Sequence, residues 1–426
     1  MVGFNLCVPL PFDHKNPPTL GLVSTTKAPD IEASDGMNWQ AVRLCLPWSW
    51  NKQDIGRTLQ RVFSTGFKHS MLAGLVRLAL GYHHSTLLKE DGSVWSTANT
   101  QTDGLGHSRG ASTHFVKVIS SDAKAVAAGS GFSMVVKKDD SLWSVGRNSR
   151  GQLGDATRVK KDKFIFATTI SGAKSLAAGG CHSMVATNKG EIWSTGSNRY
   201  GQLGDALETN FRSKFSLVIS SEAKAVDTGE AHSVVLKQDG SVWATGRNRY
   251  GQLGDGSKDD RKMFLKVISS DVANMATGAF HSIVVKQDGS VWTTGWNECG
   301  QLGDGSTSTR LNYVQVVSSG AETVAAGNRH SMMVKQDGSV WTTGYNFYGQ
   351  LGDGSTTDSQ VFVQVMSHGA KIAAAGSFHS MVVKDDGSIW VTGSNRYGQF
   401  GDGSVTSEKI FVRLLYPRNG TCYAYG

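Results

Sequence analysis

Residues 278–305 read GAFHSIVVKQDGSVWTTGWNECGQLGDG, and the fold follows from this stretch. After Gly278, the run His281-Ser282-Ile283-Val284-Val285-Lys286 has the β-branched composition of a strand. Asp288-Gly289 supplies the positive φ angles that a two-residue hairpin connection needs. Ser290-Val291-Trp292-Thr293-Thr294-Gly295 returns as a second strand, and its alternation of apolar and polar residues is that of a strand buried on one face. Asn297 and Gly300-Gln301-Leu302-Gly303-Asp304-Gly305 then form a glycine-rich loop. Working outward, Ala273-Asn274-Met275-Ala276-Thr277 is a short strand before this unit, and Tyr313-Val314-Gln315-Val316-Val317 is one after it. No 3.6-residue period runs long enough for a helix.

The unit recurs. Trp95, Trp143, Trp193, Trp243, Trp292, Trp341 and Trp390 end equivalent strands at intervals of 48 to 50 residues. A fixed period of this size marks a repeat whose apolar face is buried only by its neighbours. Four antiparallel strands in such a unit make a propeller blade, and seven units fall within the usual range of about four to eight. The expectation is an all-β, seven-bladed β-propeller of four-stranded antiparallel blades, spanning 61–416. Six of the seven prolines lie in the first 47 residues, so 1–60 reads as an irregular extension and 417–426 as a tail. Residues 61–72, RVFSTGFKHSML, repeat part of the pattern. They are either an outer strand that closes the ring or a remnant packed on its side.

The net charge of +8 lies in the repeat body, because 1–60 holds five basic and five acidic side chains. Such a surface favours acidic partners. Five scattered cysteines form neither a disulfide framework nor a zinc spacing. The start, MVGFNLCVPLPF, lacks the basic and apolar segments of a signal peptide, and no run approaches the roughly 18 apolar residues of a membrane helix. The expected location is cytoplasmic or nuclear, with no membrane association, no metal and no cofactor.

The succession Gly-x-x-His-Ser, Asp-Gly-Ser-Val-Trp and Gly-x-Asn-x-x-Gly-Gln-Leu-Gly resembles the repeat of the regulator of chromosome condensation family over about 75–415. The first copy departs most: after Trp95 it loses the asparagine and the first loop glycine. The second has Phe132 in place of histidine, and the last has Phe400 in place of leucine. The resemblance implies the propeller fold and binding of protein partners through one face. In its founding member it implies guanine nucleotide exchange on a small nuclear GTPase, with a basic tail for chromatin. That exchange uses a wedge inserted in one blade and acidic residues in the Gly-x-x-His loops. Here the even spacing leaves no room for a wedge, only Glu230 is acidic, and the N-terminal segment is neutral.

Seven copies can be compared with one another. Residues shared by all serve packing and turns. On that ground His84, His182, His232, His281, His330 and His379 are structural, each pinning the loop before its strand by a hydrogen bond. The aspartates from Asp155 to Asp402 and the asparagines from Asn148 to Asn395 are turn residues, since six near-identical copies cannot be one active site. Residues that differ between copies, in loops otherwise held rigid, are candidates for binding. Between glycine and histidine these are Tyr82, Glu230, Phe280, Arg329 and Phe378. After the tryptophan strand they are Arg147, Arg199, Arg247, Arg249 and Trp296. Aromatic residues and arginine are the types enriched at protein interfaces. Basic loops at 158–163, 212–214 and 258–262 add a positive sector.

No Ser-His-Asp order, phosphate-binding loop or metal cluster stands outside the repeat. The reading is a non-enzymatic scaffold that binds a protein, either acidic or a small GTPase. Nucleotide exchange with chromatin association is the alternative.

Overall fold

The computed structural model describes residues 5–8, 40–43, 75–98, 112–207 and 209–414. The chain divides into two compact units, Met1–Met71 and Leu72–Gly426. In the first, Asn5–Val8 pairs antiparallel with Gln40–Arg43. The second is a seven-bladed propeller. Blades 1 to 7 comprise 75–119, 123–169, 173–219, 223–268, 272–317, 321–366 and 370–413, each a sheet of four antiparallel strands in chain order. In blade 5 these strands are Val272–Thr277, His281–Lys286, Val291–Gly295 and Arg310–Val317. Residues 61–72, the candidate ring-closing strand, and the tail from 417 lie outside the described residues.

The two middle strands of each blade are buried on both faces, contrary to the one-sided pattern that alternation suggests. In Val291–Gly295, Thr293 and Thr294 are as buried as Val291. The cause is that neighbouring blades cover both sides of the sheet. The polar side chains are satisfied there: Thr293 Oγ1 donates to Leu302 O at 3.0 Å, and Thr294 Oγ1 reaches Gly251 O of blade 4 at 3.0 Å. The tryptophans wedge into the seams. Trp292 packs on the apolar cluster of blade 4, its ring half-buried beneath Lys286 Nζ at 4.3 Å.

Four kinds of contact close the seam between blades 4 and 5. His232 Nε2 lies 3.1 Å from Ser282 Oγ, and Ser282 Oγ donates to Gln252 O at 2.7 Å. The serine proton is therefore committed to the carbonyl, and the imidazole Nε2–H donates to the serine. Thr294 and a bridge from Asp255 to Asn312 complete the set. The last seam uses the same parts: His379 with Ser85 at 2.9 Å, Ser85 with Gln399 O at 2.7 Å, Thr97 with Gly398 O at 2.8 Å, and Asp402 bridged to His114. Blade 7 joins blade 1 as any blade joins the next. The histidines thus bond to the following blade, and the loop aspartates act across the seam as well as in the turn.

The seam between blades 2 and 3 lacks the imidazole, because Phe132 fills its place. Ser183 still donates to Gln152 O at 2.8 Å. Burial holds the six imidazoles neutral, lowering them from near 6.5 to about 4 for His84, His182 and His330 and to about 3 for His232, His281 and His379.

Candidate functional site at the channel mouth

The buried loop framework fixes the backbone from which the variable side chains project. Asn248 Nδ2 donates to Asp255 Oδ1 at 2.8 Å, while its Oδ1 accepts from Leu253 N at 3.1 Å. Gln252 Oε1 accepts from Tyr250 N at 3.0 Å. The equivalent glutamines hold the amides of Arg150, Tyr200, Cys299, Tyr348 and Tyr397. The residue before the loop glycine is therefore presented identically whatever its side chain.

A second bond brings the two variable sets together. Trp296 N donates to Phe280 O at 2.8 Å, Arg247 N to Ala231 O at 2.9 Å, and Tyr345 N to Arg329 O at 2.8 Å. The residue after each tryptophan-strand glycine thus lies beside the Gly-x-x-His pair of its own blade.

All of this surrounds one end of the propeller axis. The glycines Gly81, Gly129, Gly179, Gly229, Gly278, Gly327 and Gly376 ring a cavity of about 90 Å³, with Tyr82 and Glu230 at its mouth. Ligand pockets generally enclose about 300–1,000 Å³, so a partner must sit on the face and not in the channel.

Ring contacts run round the face from blade 3 to blade 1. Arg247 lies 5.0 Å from the Tyr200 ring and 5.7 Å from Phe280. Phe280 meets Tyr250 at 5.5 Å and Trp296 edge-on at 6.1 Å. Arg329 covers Trp296 at 4.7 Å and approaches Tyr345 at 5.8 Å. Tyr348 meets Phe378 at 5.2 Å, and Phe378 meets Tyr82 at 5.4 Å. Arg199 and Arg249 lie over Tyr200 and Tyr250.

Nine of the ten side chains singled out from sequence are at least partly accessible here. Trp296, at 7% exposure, is enclosed and serves as the floor beneath Arg329. Arg147 stands apart from the aromatic arc, acting with Arg247 on Glu230. Sequence comparison passed over Tyr200, Tyr250, Tyr348 and Tyr397. Tyrosine recurs in four copies before the loop glycine, which made that position look like shared framework.

The outer basic loops are less positive than their composition suggests. Arg212 pairs with Asp205 at 2.5 Å, Arg261 with Asp255 at 2.7 Å, and Lys161 with Asp155 at 3.3 Å. These cations are used inside their own blades. At the mouth, burial raises the Glu230 carboxyl above its ordinary value, although Arg147 and Arg247 pull it down. Burial also raises the thiols of Cys181 and, to about 11, of Cys299, which leaves neither activated as a nucleophile. Among the described residues, no cluster of three His, Cys, Asp or Glu side chains is placed to hold a metal. Among the same residues no helix is long and apolar enough to cross a membrane.

The profile described as RCC1-like domain matches residues 171–420, and that described as regulator of chromosome condensation (RCC1) repeat matches 123–152. No curated protein matches the chain. Human WBSCR16 superposes with a TM-score of 0.68 at 21% identity, over 76% of this chain and 94% of that one. Saccharomyces cerevisiae Prp20p, described with its binding to Gsp1p and histones, gives 0.63 at 19%, over 74% and 84%. Yeast RCC1 (Prp20) in complex with Kap60 gives 0.66 at 18%, over 82% and 86%. At such identities the likeness is one of fold.

Proposed function

We propose a function from the premise that this chain belongs to the RCC1-like domain family. It acts as a non-enzymatic interaction module of the cytoplasm or nucleus, binding a protein through the channel-mouth face. Tyr82, Phe280 and Phe378 are its apolar anchors, Arg329 is held over Trp296, and Arg147, Arg199, Arg247 and Arg249 supply the charge. The observation that carries this reading is the placement of variation: blades 2 to 7 repeat one loop framework, and the side chains it presents on this face differ from blade to blade. Partly buried aromatic residues and arginines are the usual source of hot-spot energy.

Nucleotide exchange on a small GTPase is the second reading, favoured by family membership. Against it stand the even length of the copies and the lone acidic residue in the Gly-x-x-His loops. The test is affinity capture with the full chain, repeated with Phe280, Arg329 and Phe378 changed to alanine, beside nucleotide release from a panel of small GTPases. Loss of captured partners in the triple variant, with no release, is expected. Partners that stay bound to the triple variant refute the face, and rapid release establishes exchange.

A further inference from the structure

The Gly-x-x-His pairs bring one carboxylate into the field of the mouth arginines. Glu230 is the sole acidic residue in the seven Gly-x-x-His pairs. Its carboxyl lies directly on the preceding blade at Gly180, where a β-carbon would come within 2.6 Å of Cδ and Oε2. The position opposite is therefore open only because residue 180 has no side chain. The charges of Arg147 in blade 2 and Arg247 in blade 4 favour its charged form. Arg247 is itself held between the rings of Tyr200 and Phe280. A guanidinium fixed by stacking keeps its fork of donors aimed outward, which suits a planar carboxylate.

We propose that the Arg147–Arg247 sector is a carboxylate-binding site for an acidic segment of a protein partner, with Glu230 as a built-in counter-charge that competes with the partner's carboxylate. The proposal rests on the reading of this face as a binding surface, and adds the partner's chemistry and a built-in competitor. Three observations favour it. Glu230 shows that a carboxylate is accommodated beside the Gly180 backbone within the field of the two arginines. The residue as a whole is exposed, with only its carboxyl packed on the Gly180 backbone, so it can swing into solvent without disturbing the core. The backbone at Gly180 covers one side of its carboxyl, and that desolvation works against its charge there.

The aromatic arc continues from Phe280 towards Phe378, which places apolar side chains of the same segment next to its acids. Nucleic acid fits less well. Stacked bases need open ring faces, and those of Tyr200, Trp296 and Tyr345 already carry arginines.

The experiment uses the full chain and fluorescence anisotropy with two labelled probes: a peptide of eight glutamates around one phenylalanine, and an oligothymidylate. Removing an intramolecular competitor raises apparent affinity, so Glu230→Gln is expected to bind the peptide about threefold to tenfold tighter. Arg147→Ala and Arg247→Ala each weaken it by about tenfold, and added salt weakens all of them. Melting curves check that each variant folds. Glu230→Asp retains the charge on a shorter stem, and an affinity between wild type and Glu230→Gln is expected.

Unchanged or weaker peptide binding by a folded Glu230→Gln overturns the proposal. So does tighter binding of the oligothymidylate than of the peptide by the wild type. Should captured partners depend on Phe280, Arg329 and Phe378 but ignore Arg147, Arg247 and Glu230, this inference falls while the broader function stands.

Discussion

His281 and Phe280 are neighbours in the chain and belong to different regions of the molecule. His281 is fully buried in the seam layer, where its imidazole reaches Ser331 of the next blade at 2.9 Å. Phe280 is half-exposed on the face above, touching Tyr250, Trp296 and Arg247. The seam layer repeats because each blade must satisfy the same buried donors and acceptors against its neighbour. The face varies because its side chains meet solvent. A repeat protein can therefore alter what it binds without altering how it closes, and the two regions should respond separately to perturbation.

Acidification tests the separation most severely, since it strikes six seams together. The imidazoles are held at about 3 to 4 when folded, below the ordinary value near 6.5. Their contribution is complete above about pH 6.5 and is lost as the pH falls towards 4, at up to about 1.4 kcal/mol per pH unit for each histidine. Asp227 opposes this. Buried against the Thr277 amide at 2.8 Å, its carboxyl is raised to about 6, so its contribution is present below about pH 4 and lost as the pH rises through 6. One group cannot offset six. Urea midpoints that fall steeply between pH 6.5 and 4.5 are expected, and a flat profile counts against neutral histidine staples.

A single seam can be broken at Gly278. A β-carbon there would meet the His281 ring at 2.0 Å and Gly327 O of the next blade at 2.6 Å. Gly278→Val is expected to cost more than about 4 kcal/mol or to prevent folding, because neither neighbour can retreat. The check is soluble yield and melting temperature. A variant that melts with the wild type shows that the glycine ring is not close-packed.

The smallest effect belongs to the face. Phe347, at 64% exposure, and Arg329 can be changed to alanine with stability altered by no more than about 0.5 kcal/mol. Loss of partner binding by Arg329→Ala at unchanged melting temperature sharpens the contrast. A large drop in melting temperature erases it.

Legibility in the sequence divides along the same line. Strands, hairpins and blade number were readable because each depends on residues within one copy: Asp288-Gly289 makes its turn locally, and the tryptophan interval counts the units. The face was readable in part, since Phe280, Arg329 and Phe378 stand out against their counterparts. Tyr250 did not, because its recurrence resembled framework. Thr293 and Thr294 suggested a solvent side that the neighbouring blade in fact covers. Arg212 and Arg261 counted as free charge although each neutralises an aspartate of its own blade.

The amino-acid sequence alone therefore determined the blade, its period and the number of blades, since short-range turn chemistry and the burial of strands act within about fifty residues. Only the tertiary structure decided which atoms meet across each seam and which side chains share the channel mouth. Those contacts join residues a full repeat or more apart, such as His379 and Ser85, and their geometry exists only once the ring has closed.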